Sequence, residues 1–309
     1  MIQYARKNPW IFILIGIIPV IASVTFGFTN WDDPALVINN KLIYNLSLDN
    51  LIKIFTPREG GTYQPLRVLS YAIDYQIAHH PFIFHLHNVL LYGLNVFLLY
   101  LIARKLIGYK AGFWAALIFA FMPIHIESVA WIAARKEVLA GLFFFLSIYL
   151  YILYRDGKGK KFYPLSLFCF VLAGLSKPST VVLPIFLLLY ELFFRKKKQR
   201  DLKLQLPYWI PNILILIYFV FFAGTAKPRY HGGNLFTTIL VDMWIGVRYW
   251  FNAYFPYHLS PRYLIRPWTI YPGWRILLGV AFTVVLLSLI HISEPTRPLY
   301  ISYAVFCLK

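Results

Sequence analysis

Residues 85–106 read HLHNVLLYGLNVFLLYLIARKL. Nineteen positions pass before the first formal charge, Arg104, and Lys105 follows it. A helix needs about 20 mostly apolar residues to cross a bilayer, so this stretch reads as a spanning helix with a basic end. Similar runs occupy residues 10–28, 112–124, 138–154, 162–175, 181–194, 207–223, 236–255 and 274–286. The predicted fold is an all-α polytopic membrane protein, a bundle of about 8–9 transmembrane helices. Composition agrees: 60% of the 309 residues are hydrophobic and 14% charged, with mean hydropathy +0.62. Soluble domains carry about 25% charged residues, and a soluble core cannot bury this much apolar surface. Aromatics reach 19%, as belts at two membrane interfaces require.

The net charge of +18 does not indicate nucleic acid, because the cations sit in short clusters between apolar runs. Arg6/Lys7, Arg104/Lys105/Lys110, Arg155/Lys158/Lys160/Lys161 and Arg195–Lys203 fall in alternate loops, the pattern of the positive-inside rule. Those loops are predicted to be cytoplasmic. The large first loop, residues 29–84, then faces outward, as do the segments around 125–136, Lys177 and 227–234. Within that loop, residues 48–55 and 66–77 have helical apolar spacing and are predicted to form short amphipathic helices on the membrane surface. Residues 10–28 read as an uncleaved anchor rather than a signal peptide, the apolar run being long for an h-region. Cys169 and Cys307 form neither a disulfide framework nor zinc spacing.

Residues 287–297, LSLIHISEPTR, and 301–308, ISYAVFCL, resemble the two constant ends of a translated sequencing adapter. The domain organisation read from the sequence is a catalytic bundle over 1–286 and an adapter-derived tail over 287–309, with the gene expected to continue differently after Leu286.

Ionisable residues near a membrane are costly and mark functional sites. The outward set includes Asp32, Asp33, Arg67, Asp74, His85, His87, His125, Glu127, Arg135, Lys136, Glu137, Lys177, Lys227, Arg229 and His231. The cytoplasmic loops offer mostly Lys and Arg, so chemistry is expected outside. Asp32-Asp33-Pro34 can supply a general base or help bind a metal; equally, an Asp before Pro opens a helix as its N-cap. His85 and His87 are spaced i, i+2 and do not face each other on a helix, which argues against a two-histidine metal site. Lys177 either holds an anion or snorkels to the interface. Walker-type loops, dinucleotide fingerprints, HExxH and GxSxG are absent, so ATP-driven transport and soluble nucleotide chemistry lack support.

Six stretches, taken in order, carry a resemblance: Trp31 to Asn40, Tyr63 to Tyr71, Phe84 to Tyr92, Pro123 to Ala130, Ala134 to Ala140 and Leu175 to Pro178. A weaker one spans Pro256 to Tyr263. Together they resemble the transmembrane half of the transmembrane and tetratricopeptide-repeat O-mannosyltransferases and their bacterial relatives, within the GT-C glycosyltransferases. Gln64, Pro178 and Arg262 depart from the family's usual residues. The resemblance implies a GT-C-like bundle, expected in a bacterial inner membrane with its site facing the periplasm or exterior; in a eukaryote the outward side would be the lumen. It implies inverting transfer of a sugar, mannose being the first candidate, from a polyprenyl-phosphate donor to a hydroxyl of a protein, lipid or glycan. Carried over, Asp32 is the general base with Asp33 beside it or in its place. Arg135, Lys136 and Lys177 hold the donor phosphate; Arg67, His85, His125 and Glu127 orient substrate. No metal ligands are assigned. The competing readings are a flippase of lipid-linked sugars and a noncatalytic membrane scaffold.

Overall fold

A computed structural model describes residues 2–57, 63–221, 233–255 and 273–293. Every regular element among them is helical. Two compact units result, Met1–Thr225 and Ala226–Lys309. The first contains helices α1 (Ile2–Lys7), α2 (Ile11–Ile17), α3 (Leu48–Phe55), α4 (Pro65–Ile77), α5 (Pro81–Ile107), α6 (Tyr109–Phe121), α7 (His125–Ala130), α8 (Arg135–Arg155), α9 (Phe162–Ser176), α10 (Leu183–Phe194) and α11 (Leu206–Phe221). The second contains α12 (Leu235–Tyr254) and α13 (Gly273–Ser293), packed on each other.

The all-helical expectation holds, but the described helices are shorter than 8–9 full spans. Pro81–Ile107 and Ile132–Arg155 are long and apolar enough to cross a membrane. The apolar helices Tyr109–Phe121, Phe162–Ser176 and Pro178–Phe194 are shorter. Proline explains much of this. Pro19 has no N–H to continue α2, whose last bond runs from Ile18 N to Leu14 O (3.0 Å), and the predicted span 10–28 breaks into α2 and a 3₁₀ turn, Ile21–Thr25. Pro123 stands just beyond the end of α6, and Pro178 separates α9 from α10. The amphipathic helices expected at 48–55 and 66–77 are present as α3 and α4. α13 runs into the adapter-like stretch as far as Ser293. Residues 294–309, Glu59, Lys227, Arg229, His231 and the 256–263 motif lie outside the described residues.

α5 is the centre of the first unit, touching α2, α6 and α8. It runs alongside α8 in the same direction: Arg135 donates to Asn88 Oδ1 at one end (2.7 Å), and Lys105 to Asp156 at the other (2.6 Å). Phe12 stacks on Tyr100 (4.0 Å between ring centroids) and meets the edge of Phe113 (5.8 Å). The outward faces remain apolar. Trp114, Ile118 and Phe121 line one exposed stripe of α6, and Leu165, Phe168 and Val171 one of α9. Such stripes mark membrane or partner surfaces, and a membrane fits the chain's composition.

α2 and α5 approach through glycines. A Cβ added at Gly93 would sit 2.8 Å from Ile13 O, and one at Gly16 would sit 2.8 Å from Val96 Cγ2. Small residues allow this approach where lipid gives no hydrophobic drive between helices. Gly93→Ala is therefore expected to destabilise the protein by about 1–2 kcal/mol through overpacking, although alanine is the better helix former. Thermal unfolding in detergent checks it; a stability gain would show that the backbones are not in close contact.

Candidate active site

The end of the bundle that carries Arg135 is built around a buried polar frame. On α4, Arg67, Tyr71 and Asp74 recur at i, i+4 and i+7, sharing one face, and all three are buried. On α5, Phe84, His85 and Asn88 are buried at the same level. The segment between α7 and α8 crosses here as a 3₁₀ turn, Ile132–Ala134, and its carbonyls need partners. Tyr71 Oη donates to Ile132 O (2.7 Å). Asn88 Nδ2 donates to Val129 O (3.1 Å) and Trp131 O (3.3 Å).

Arg135 closes this frame with its side chain fully buried. It pairs with Asp74 Oδ2 at 2.5 Å and donates to Asn88 Oδ1 (2.7 Å), Phe84 O (2.7 Å) and Ser70 Oγ (3.4 Å). The guanidinium lies over the Tyr71 ring at 4.7 Å. His87 Nδ1 meets the other oxygen of Asp74. Arg135, expected from the sequence to hold the donor phosphate, makes these internal contacts in the structure.

The two adjacent aspartates part ways. Asp33 is fully buried. Its carboxylate accepts from Thr29 N (2.8 Å), Thr29 Oγ1 (3.0 Å) and Ala133 N (3.1 Å), while Trp131 Nε1 donates to Thr29 Oγ1 (3.1 Å). It occupies the N-cap position of a π-helical turn, Pro34–Ile38, but makes no cap bond. Its oxygens are spent tying the 29–33 loop to the 132–134 turn. Asp32 is half-buried, and no hydrogen bond reaches its carboxylate among the described residues.

Asp32 lies within electrostatic reach of cations. It acts electrostatically on Arg67 and on Lys136, and Lys136 also feels Arg67, Glu137 and Lys177. Lys177, at the end of α9, is ion-paired with Glu137. Three cations and two carboxylates therefore gather from four places in the chain: the loop after α2, α4, the start of α8 and the end of α9. Burial lowers the pKa of Arg67, against the opposing pull of Tyr71 and Asp32. Its Nε has no hydrogen-bond partner among the described residues. Burial also pushes the Tyr71 phenol up to about 12, so it stays a neutral donor.

His85 stays within the frame, within electrostatic reach of Asp33 and Arg135, while His125 and Glu127 make no side-chain hydrogen bond with it among the described residues. His85 is buried against Phe26, with Nε2 3.4 Å from Gly27 O. Glu127 is exposed on α7. His125 Nδ1 lies 2.9 Å from Phe119 O and 3.0 Å from Tyr92 Oη. A carbonyl only accepts, so Nδ1 carries the proton. Burial lowers the His125 pKa below 6.5, partly offset by the bond to Phe119. On acidification the unfolded chain takes up this proton first. Stability therefore falls as pH drops through 6.5 towards the folded-state value, and the loss is complete below that value. His125→Asn should flatten this part of the stability profile between pH 7.5 and 5.5, read by thermal unfolding; an unchanged slope would show that His125 is not the group involved.

Asp74, His87 and Asn88 belong to the frame but were given no role by sequence reasoning. The available signal was the i, i+4, i+7 spacing of Arg67, Tyr71 and Asp74. Among the described residues, no three or more His, Cys, Asp or Glu side chains converge as metal ligands.

The first unit is thus an apolar helix bundle with ionisable side chains gathered at one end. Residues 76–223 match the family described as dolichyl-phosphate-mannose-protein mannosyltransferase. The chain is 37% identical over 117 residues to Protein O-mannosyl-transferase tmtc2 of Xenopus laevis, covering 37% of this chain and 13% of that protein. It is 30% identical over 164 residues to Protein O-mannosyl-transferase TMTC4 of Mus musculus, covering 45% and 22%. Against TMTC1 of the same species it is 34% identical over 154 residues, covering 46% and 16%. The chain thus spans less than a quarter of the length of these relatives. The matches support a GT-C superfamily mannosyltransferase-like relationship. Asp32, Asp33, Arg67 and Asp74 lie before the family match; Arg135, Lys136 and Lys177 lie within it.

Proposed function

We propose that this chain carries the membrane catalytic region of a glycosyltransferase that moves a sugar, mannose first, from a polyprenyl-phosphate donor to a hydroxyl. The names of the relatives favour a protein hydroxyl as acceptor. The chain crosses the membrane several times, with the Asp32 end outside the cytoplasm. That end faces the periplasm or exterior if the membrane is a bacterial inner membrane, and the lumen if the chain is eukaryotic.

The observation that carries this reading is the contrast within one dipeptide: Asp33 is saturated with donors, whereas Asp32 has none among the described residues and lies within electrostatic reach of Arg67 and Lys136. Asp32 takes the proton of the acceptor hydroxyl as its oxygen bonds to the anomeric carbon. The bond from that carbon to the phosphate oxygen breaks on the opposite face, so the product is inverted. The electron pair leaves with the polyprenyl phosphate, and Arg67, Lys136 and Lys177 stabilise the charge that develops there. Asp32 then returns its proton to water.

The test is transfer of labelled mannose from a polyprenyl-phosphate donor to Ser/Thr peptides by the reconstituted protein. Formation of a new glycosidic bond with inverted configuration is expected. Translocation of the donor across liposomes without any new bond would overturn the reading in favour of a flippase.

A further inference from the structure

The opposite end of the bundle carries a second organised polar structure, which the transfer reading leaves unused. Glu191 on α10 is fully buried. It pairs with Arg155 Nε (2.7 Å) and accepts from Tyr151 Oη (2.9 Å) and from Asp201 N (3.2 Å). These bonds fold the chain after α10 back beneath the bundle as two 3₁₀ turns, Lys197–Gln199 and Leu202–Gln205. Arginines finish the fold. Arg195 donates to Arg155 O (3.0 Å) and lies 3.7 Å from Asp156, while Arg200 donates to Leu192 O (2.6 Å) and Arg195 O (3.3 Å).

Every carboxylate of this end is thereby engaged. Asp156 holds Lys105 and Arg195, Glu191 holds Arg155, and Asp201 accepts from Lys203 N. Lys196, Lys197, Lys198 and the Lys203 ammonium are exposed, with no ion-pair partner among the described residues. Phe193 (64% exposed) and Leu206 (63%) flank them. The arginines are internal ties, and the lysines are left facing out beside apolar side chains.

We propose that the strap over residues 193–206 is a preformed docking surface for anionic phospholipid headgroups of the adjacent leaflet. Exposed Phe and Leu enter the acyl boundary while the four lysines meet headgroup phosphates. A topology signal alone needs only loose cations. A buried glutamate that orders the loop, and arginines spent on internal carbonyls, fit a surface with a fixed shape. The inference rests on the membrane reading of the chain.

The full chain is reconstituted in nanodiscs of phosphatidylcholine with or without phosphatidylglycerol, and retained lipids are measured by native mass spectrometry. A lysine near an anionic surface is worth roughly a fivefold factor in affinity. The wild type should enrich phosphatidylglycerol at least about tenfold, and less at high salt. Lys196→Gln/Lys197→Gln/Lys198→Gln/Lys203→Gln should lose the enrichment, yet unfold like wild type in pure phosphatidylcholine. The matching Lys→Arg quadruple variant should keep it, as should the control Lys158→Gln/Lys160→Gln/Lys161→Gln. No enrichment by the wild type, or equal loss in the control, overturns the strap proposal while leaving insertion intact. Failure to enter either nanodisc would instead overturn the membrane reading, and this proposal with it.

Discussion

Replacing Arg135 with methionine is expected to destabilise the protein by about 3–5 kcal/mol, the cost of leaving one partner of a buried ion pair alone. Arg135 and Asp74 are both fully buried. Without the guanidinium, Asp74 keeps only His87 as a side-chain partner among the described residues, Asn88 Oδ1 and Phe84 O lose the Arg135 donor, and Tyr71 loses the cation over its ring. Asp74→Asn should be milder, because an amide still accepts from Arg135, though it leaves the cation uncompensated. The double variant Arg135→Met/Asp74→Leu should recover part of the loss, since an apolar pair avoids the desolvation of both charges. Thermal unfolding and size-exclusion profiles in detergent provide the measurement. An Arg135→Met protein within 1 kcal/mol of wild type would mean that the frame is not held by this pair.

The second large effect separates the adjacent acids. Asp32→Asn is expected to lower kcat/KM for sugar transfer by on the order of 10²–10⁴, about 3–5 kcal/mol of barrier, with an unchanged unfolding temperature. Its carboxylate accepts no hydrogen bond among the described residues, so the fold is not expected to depend on it. Asp33→Asn is expected to do the reverse in stability. One of its oxygens becomes an NH₂ that faces the donors of Thr29 or Ala133, and a charged acceptor is lost. A hydrogen bond to a charged group is worth about 1.5–3 kcal/mol. Any loss of activity in Asp33→Asn should accompany the loss of fold and recover at low temperature. Full transfer activity in Asp32→Asn would remove it as the base.

The residue types that build the candidate site stood in the sequence, because acids are scarce in so apolar a chain and cluster between the same spans. Asp32, Arg67, Lys136 and Lys177 were all among the candidates. Their division of labour was not legible. Asp33 looks like Asp32 in the sequence, and Arg135 looks like Lys136; only one member of each pair points into the core. A helix turns about 100° per residue, so Arg135 and Lys136 face different surroundings, and a local reading cannot say which side is buried. His85, His125 and Glu127 match family motifs, yet their contacts are with Gly27 and Phe26, with Phe119 and Tyr92, and with solvent.

By itself, the sequence determined the helical class, the apolar exterior, the charge asymmetry between the two ends and the kinship to mannosyltransferases. Each of these depends on composition, on hydrophobic run length or on ordered motifs, which are properties of neighbours along the chain. Only the tertiary structure decided where helices stop and which charges neutralise one another. Proline breaks shortened the expected spans, and the partners of Asp33, Asp74 and Glu191 come from 100, 61 and 36 residues away. Pairing at that range follows from packing and from the cost of burying an unsatisfied charge, which no local pattern encodes.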